Sequence, residues 1–359
     1  EKKAMKKTLG WILAMVLTLS MFGCSTGDTG TNDAADGGTT TDTTGTTEGT
    51  EETGSAELPQ VEAPAQAGVE IEPVMPDKPL RFAFLCFQNN PFWQLVRSGA
   101  DIGTEYLANF NVEVDYIVVG DVLDAATINA GIDAAIVEEY DGIVVTPFTP
   151  GTEVYIDKAV DAGIPVVTLY GESPVASKRI AFLGQDAYAA GQEAGKYIVG
   201  NNAEPGKYAI ITGQFTVENH EQRRNGCADY LDDLGWESVG VYEANDKADL
   251  TYNYAKDIIT SNPDIKAIYM TAGGPFGAAT AAQEMGRDDV LIIGHDEVPE
   301  NLDYIEKGQM CAISQDAKGV AINGLIILYN KVVANKDPAQ DFYPSKSEVI
   351  TQENAASFR

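Results

Sequence analysis

Leu80-Arg81-Phe82-Ala83-Phe84-Leu85-Cys86-Phe87 is an apolar run broken only by Arg81, and Gln88-Asn89-Asn90-Pro91-Phe92-Trp93 follows it at once. A short run rich in aromatic residues and closed by amides and a proline reads as a buried strand. Asn90, placed before Pro91 and an apolar stretch, reads as a helix cap, because its side chain can accept from the open N–H groups of a first turn. Strand, polar turn and helix then recur along the chain. Further strands are expected at Val112–Val119, Gly142–Pro147, Ile164–Tyr170, Tyr208–Thr212, Ser238–Tyr242, Ala267–Met270, Val290–Gly294 and Met310–Ser314. Helices fit at Ala187–Val199, Glu221–Leu234, Leu250–Ser261, Gly277–Met285 and Ala317–Ala334. Such alternation gives parallel sheets covered by helices on both faces. It restarts after Ala181–Gly184, so two doubly wound, Rossmann-like α/β lobes are expected.

In open parallel sheets, ligands bind beyond the carboxyl ends of the strands. Two lobes facing each other there would form a clamp. The strand ends read Gln88-Asn89-Asn90-Pro91-Phe92-Trp93, Thr146-Pro147-Phe148, Tyr170-Gly171-Glu172, Gly294-His295-Asp296 and Ser314-Gln315, with Arg223-Arg224-Asn225-Gly226 on a helix between them. Amides, carboxylates and guanidinium groups fork onto hydroxyls, and aromatic faces cover C–H surface. That combination suits a sugar.

At these residues the chain resembles the ribose-binding-protein-like branch of the type 1 periplasmic binding proteins, the solute receptors of sugar importers. The likeness runs from about Leu80 to Thr351, through Asn89-Asn90-Pro91-Phe92-Trp93, Ala162-Gly163-Ile164-Pro165-Val166-Val167, Arg223 with Gly226, Asn262-Pro263-Asp264, Gly294-His295-Asp296 and Ile313-Ser314-Gln315. The resemblance implies that Asn90 bonds ligand hydroxyls, that Phe92 and Trp93 stack on the ring, and that Arg223, Asp296 and Gln315 hold its oxygens. A helix cap alone would account for Asn90, core packing for Phe92, and a solvated helix face for Arg223, whose neighbour Arg224 offers a second register. Tyr170, also a candidate ligand contact, stands with Gly171 where ribose-type members carry an Asp-Arg pair. Ribose itself is therefore disfavoured, and a deoxy sugar, a furanosyl signal molecule, a cyclitol or a nucleoside would suit a more apolar first lobe.

The resemblance further implies a first lobe of residues 80–184 plus 316–344 and a second of residues 185–315 plus 345–359. Three crossings are expected near Gly184–Gln185, Gln315–Asp316 and Tyr343–Ser345, with closure about that hinge delivering the ligand to the permease of an ABC importer. A receptor reporting to a membrane sensor or chemoreceptor would bind in the same way. A monomer suits either role.

The N-terminal segment reads Lys6-Lys7, an apolar run from Leu9 to Phe22, then Gly23-Cys24. That is an export signal over residues 1–23, too short to span a bilayer comfortably. Cys24 resembles the lipidated cysteine of a lipobox, which puts the protein on the outer face of the cell membrane or in a periplasm. Between Ser25 and Pro79 there are twelve acidic residues against one lysine. With so few large apolar side chains, residues 24–79 are expected to form an extended, disordered tether.

The whole chain carries a net charge of −30, which disfavours nucleic acid, whose binding needs clustered Lys and Arg. Cys86, Cys227 and Cys311 have no metal-ligand spacing, and His220 and His295 are the only histidines, so no metal or cofactor is expected. No nucleophile elbow, P-loop or dinucleotide fingerprint follows a strand, and no enzyme is expected.

Overall fold

The computed structural model describes residues 58–87, 90–121 and 123–359. The export signal and Cys24 lie outside the described residues. The elements in chain order are β1 (Leu80–Phe87), α1 (Pro91–Ala108), β2 (Val112–Gly120), α2 (Ala125–Val137), β3 (Gly142–Val145), α3 (Glu153–Asp161), β4 (Val166–Leu169) and β5 (Ala181–Gly184). There follow α4 (Ala187–Gly200), β6 (Lys207–Thr212), α5 (Glu218–Asp232), β7 (Glu237–Glu243), α6 (Ala248–Ser261), β8 (Ile265–Met270), α7 (Pro275–Glu284), β9 (Leu291–His295), α8 (Pro299–Ile305) and β10 (Cys311–Ile313). The chain then forms α9 (Ala317–Ala334), β11 (Phe342–Pro344) and β12 (Val349–Ile350).

Two six-stranded sheets result, ordered β11-β5-β4-β3-β1-β2 and β12-β10-β9-β8-β6-β7. Every pairing is parallel except β10 with β12. In the second sheet, successive residues serve two cores. Ala209 and Ile211 pack on one face with α6 and α7, while Tyr208 and Ile210 pack on the other with α4 and α5, as the two-residue period of a strand requires. In the first sheet Phe82, Phe84 and Leu85 are fully buried, each contributing about 1.5–3 kcal/mol relative to exposure. α9 is long and apolar enough to cross a membrane, but 67% of it is buried within the protein. A helix apolar all round can equally be a core helix, and α9 packs against α1 and the first sheet.

α9 and β11 belong to the first lobe, and β12 returns to the second. The third crossing therefore runs through residues 345–348, slightly later in the chain than its expected place. Gln185 ties the crossings together. Its Nε2 donates to Ser314 O and to Ser347 Oγ, both at 3.0 Å, so one side chain bridges all three connections.

The expectation of a disordered tether reaching Pro79 is corrected. Ala67, Val69, Ile71 and Met75 pack on the first lobe's core. Asn323 Oδ1 accepts from Gly68 N–H at 2.7 Å and Val69 N–H at 2.9 Å. Asn330 accepts from Glu72 N–H at 2.8 Å and donates to Glu70 O at 2.9 Å. A few apolar side chains and two amides on α9 thus supply enough contact to order this strap, despite its acidic composition.

Candidate ligand-binding site

The carboxyl ends of both sheets face one cleft. Asn90, Phe92, Trp93, Tyr170, Arg223, Asp296 and Gln315 all border the same cavity of about 50 Å³, together with Leu123, Phe148, Asn219, His220, Asp246, Ala272 and Gly273. A single water needs about 10–15 Å³ by this measure, so the space is small, with room for a few waters. The lobes touch across it. Val217 packs within the first lobe's core, and Glu218 N–H donates to Phe148 O at 3.4 Å.

The first lobe supplies an aromatic wall. Asn90 Oδ1 accepts from Trp93 N–H at 3.1 Å, capping α1 and fixing the turn that carries Phe92 and Trp93. The Phe92 ring lies 5.4 Å from both Trp93 and Tyr170, edge to face, and Trp93 lies 6.2 Å from Phe148. Such pairs add about 0.5–1.5 kcal/mol each beyond burial. Tyr170 follows β4 with a φ of 62°, a conformation that costs a bulky residue about 1–3 kcal/mol. Its N–H donates to Leu183 O at 2.9 Å and its hydroxyl to Ala317 O at 2.7 Å, which together hold it there.

The second lobe supplies the polar wall. Arg223 is 2% exposed. It donates through Nε to Gln185 Oε1 at 3.1 Å, through Nη1 to Thr271 O at 2.9 Å, and through Nη2 to Gln315 Oε1 at 2.5 Å. Gln315 Nε2 in turn donates to Asp296 Oδ1. Arg224 instead pairs with Glu221 at 2.7 Å, which settles which arginine enters the cleft. Asn301 Nδ2 donates to the carbonyls of His295 and Asp296 at 2.8 and 2.9 Å, holding Asp296 at a φ of 82°. Short polar side chains tolerate that region better than others do.

Burial pushes the Asp296 carboxyl up to about 7, against the pull of Arg223 and of the hydrogen bond from Gln315. Burial likewise raises Asp246 to about 6, opposed by the Gly273 N–H and by Arg223. His220 is pushed down to about 3 by burial and by Arg223. Its Nδ1 accepts from Gln214 N–H at 3.2 Å, so the neutral ring carries its proton on Nε2. His220 is therefore neutral, while Asp296 and Asp246 hold their protons to higher pH than free carboxyls do beside the charged guanidinium.

The seven residues expected from sequence converge. Asn219, His220 and Asp246 were not expected. α5 begins at Glu218, a turn before the apolar pattern that suggested Glu221, so Asn219 and His220 share a helix face with Arg223. Asn245-Asp246 closes β7 with both residues at positive φ, a strand-end signal that the sequence did contain.

A family model described as a periplasmic binding protein domain matches residues 83–336. The chain belongs to that family. Its fold, two parallel-sheet α/β lobes joined by three crossings, is the type 1 periplasmic binding protein fold. The D-allose-binding periplasmic protein of Escherichia coli (strain K12) is 31% identical over 184 residues, 48% of this chain and 58% of that one. The ribose import binding protein RbsB of the same strain is 24% identical over 186 residues, 50% and 62% of the two chains. The chain thus aligns with less than two thirds of either relative's length. Among solved structures, GanP, a glucose-galactose binding protein from Geobacillus stearothermophilus, superposes with a TM-score of 0.70 at 26% identity, covering 77% of this chain and 99% of that one.

Proposed function

We propose that this protein is an extracytoplasmic receptor that captures a monosaccharide or related small sugar between its lobes and delivers it to an ABC importer. The observation that carries the proposal is the division of the cleft into an aromatic wall and a polar wall built on Arg223, Asp296 and Gln315. A sugar ring has the same two aspects, C–H faces and hydroxyl edges. The family and the sugar-binding relatives support the reading. Asn90, Phe92, Trp93 and Tyr170 contact the ring from the first lobe, and Arg223, Asp296 and Gln315 take its hydroxyls from the second. Ligand touching both walls favours the closed arrangement, and closure presents the loaded receptor to the permease.

The receptor acts as a monomer, held on the outer face of the cell membrane through lipidated Cys24 or within a periplasm, and performs no reaction. Replacement of Cys24 by Ala is expected to release the chain from membranes; full membrane partitioning of that variant refutes the anchor.

The direct test is thermal unfolding of the full chain against pentoses, hexoses, deoxy sugars, cyclitols and nucleosides. A ligand at about a hundred times its Kd adds roughly 2.7 kcal/mol, a rise of several degrees. Asp296→Ala is expected to abolish that rise while leaving the protein folded. A panel in which only nucleosides or cyclitols raise the midpoint refutes the sugar assignment.

A further inference from the structure

The chemistry of the first wall narrows the ligand, given the sugar-receptor reading above. Among the described residues, the first lobe borders the cavity with Asn90, Phe92, Trp93, Leu123, Phe148 and Tyr170. The Tyr170 hydroxyl is committed to Ala317 O at 2.7 Å, and Asn90 Oδ1 to the N–H of Trp93 at 3.1 Å. Thr146, at the end of β3, has a buried hydroxyl with no hydrogen-bond partner, but it does not border the cavity. What this lobe offers a ligand is mainly ring faces and edges.

Gly171 explains how the wall became so apolar. A Cβ at Gly171 would lie 2.4 Å from Phe148 Cδ1 and 3.6 Å from Asn219 Cγ. The Phe148 ring therefore occupies the space that a side chain at position 171 would need. Phe148 and Gly171 are one device: the ring fits because the side chain is missing, and together they present carbon to the cavity. The opposite wall keeps its polarity. Asn219 Oδ1 borders the cavity, buried and without a partner, beside Arg223, Asp246, Asp296 and Gln315.

We infer that the ligand is a deoxy sugar, a monosaccharide whose edge toward Phe148 and Tyr170 carries a methyl or methylene group in place of a hydroxyl, with its remaining hydroxyls gathered by the second lobe. A hydroxyl turned onto the ring faces of Phe148 and Tyr170 loses its water and meets carbon, with Asn219 Oδ1 as the acceptor at the edge of that wall, whereas a methyl group on the rings loses nothing. An apolar pocket discriminates against an added hydroxyl by about 10–100-fold.

Calorimetric titration of the full chain with matched pairs tests this: L-rhamnose against L-mannose, D-fucose against D-galactose, 6-deoxy-D-glucose against D-glucose, and 2-deoxy-D-ribose against D-ribose. At least one deoxy sugar is expected to bind about 10–100-fold more tightly than its parent. Phe148→Ser, which opens space and adds a hydroxyl, is expected to bring that ratio close to one. Parents that bind as tightly as their deoxy partners in every pair overturn the deoxy inference and leave the sugar receptor standing. If no member of any pair binds while another pentose or hexose does, the deoxy inference falls and the sugar receptor stands; if no sugar binds at all, both readings fall. Should Phe148→Ser fail to fold, the ratio measured on the unaltered chain decides alone.

Discussion

A Cβ placed on Gly226 would lie 2.1 Å from Tyr188 O, and one on Gly191 would lie 2.1 Å from Arg223 O. The two glycines let α4 and α5 approach until backbone meets backbone, and that approach sets where Arg223, three residues before Gly226, enters the cleft. Carbonyl oxygens cannot rotate away as a side chain can. Gly226→Ala must therefore separate the helices by about 1 Å to reach 3.0 Å, the shortest contact that real Cβ atoms make. Overpacking of this kind costs about 1–3 kcal/mol, against about 1 kcal/mol that Ala gains over Gly inside a helix. Gly200, the last residue of α4, supplies the comparison, because a Cβ there meets nothing within 4 Å. Gly226→Ala is expected to melt below Gly200→Ala by the packing cost alone, at about 2–4 °C for each kcal/mol in a unit of 150–250 residues. Ligand binding by Gly226→Ala should weaken at least tenfold, since the 2.9 Å and 3.1 Å bonds from Arg223 to Thr271 and Gln185 do not survive a 1 Å displacement. Equal melting of the two variants with unchanged binding refutes the argument that helix contact positions the guanidinium.

Other consequences are independent of that contact. Burial raises Asp296 from 3.8 to about 7 and Asp246 from 3.8 to about 6, so the folded state holds protons that the unfolded chain has released, and these groups make stability fall as pH rises from about 4 to about 7. Asp296→Asn removes its share of that fall. The variant's unfolding free energy from urea titration should gain on the unaltered protein by about 3 kcal/mol between about pH 4.5 and about pH 7.5, at about 1.4 kcal/mol per pH unit up to about pH 7; a gap that does not change with pH refutes the raised carboxyl. Asn330→Ala leaves Glu72 N–H and Glu70 O without their partner, which costs about 1–3 kcal/mol, and should expose residues 64–75 to limited proteolysis; a strap that stays uncut contradicts its docking by these bonds. Cys86, Cys227 and Cys311 are free and buried, and burial raises all three thiols. In a Cys24→Ala chain none should react with a thiol reagent until the protein is unfolded in urea, and rapid labelling of that native variant shows otherwise.

The fold was legible because its signal is periodic and repeated. Short runs such as Leu80–Phe87 and Ala267–Met270 alternate with helical patterns, and tertiary packing has little reason to override a pattern that every element shares. The site was legible where chemistry-bearing residues stand at strand ends, as Tyr170, Asp296 and Gln315 do. What escaped lies where local and tertiary signals part. His220 and Asn219 sit in a first helical turn whose composition is polar, so the apolar period starts only after them. Gln185 joins three segments far apart in sequence, and no local pattern announces such a bridge. The strap at residues 64–79 has the composition of a linker, and the position of Asn323 and Asn330 on α9, with the packing of Ala67, Val69, Ile71 and Met75, makes it part of the fold.

The distribution of hydrogen bonds bears on how the proposed closure is driven. Arg223 donates to Gln185, Thr271 and Gln315, which belong to the second lobe and the crossings. The rings of Phe92, Trp93, Phe148 and Tyr170 contact one another within the first lobe. Each wall is thus built mainly from its own lobe, with Val217 and the Glu218 N–H reaching the first wall from the second lobe. A ligand need not order either wall, and the entropy that ordering would cost is not charged against binding. In the proposed mechanism the ligand adds contact with both walls at once, and its differential affinity for the closed arrangement brings the lobes together. Across the cleft itself, Val217 and Glu218 touch the first lobe, and Glu297 accepts from Ala317 N–H at 2.8 Å. A substitution that loosens one wall, such as Gly226→Ala in the second lobe, should therefore weaken binding and closure together, whereas one that strengthens contact between the empty lobes should tighten binding without touching the ligand.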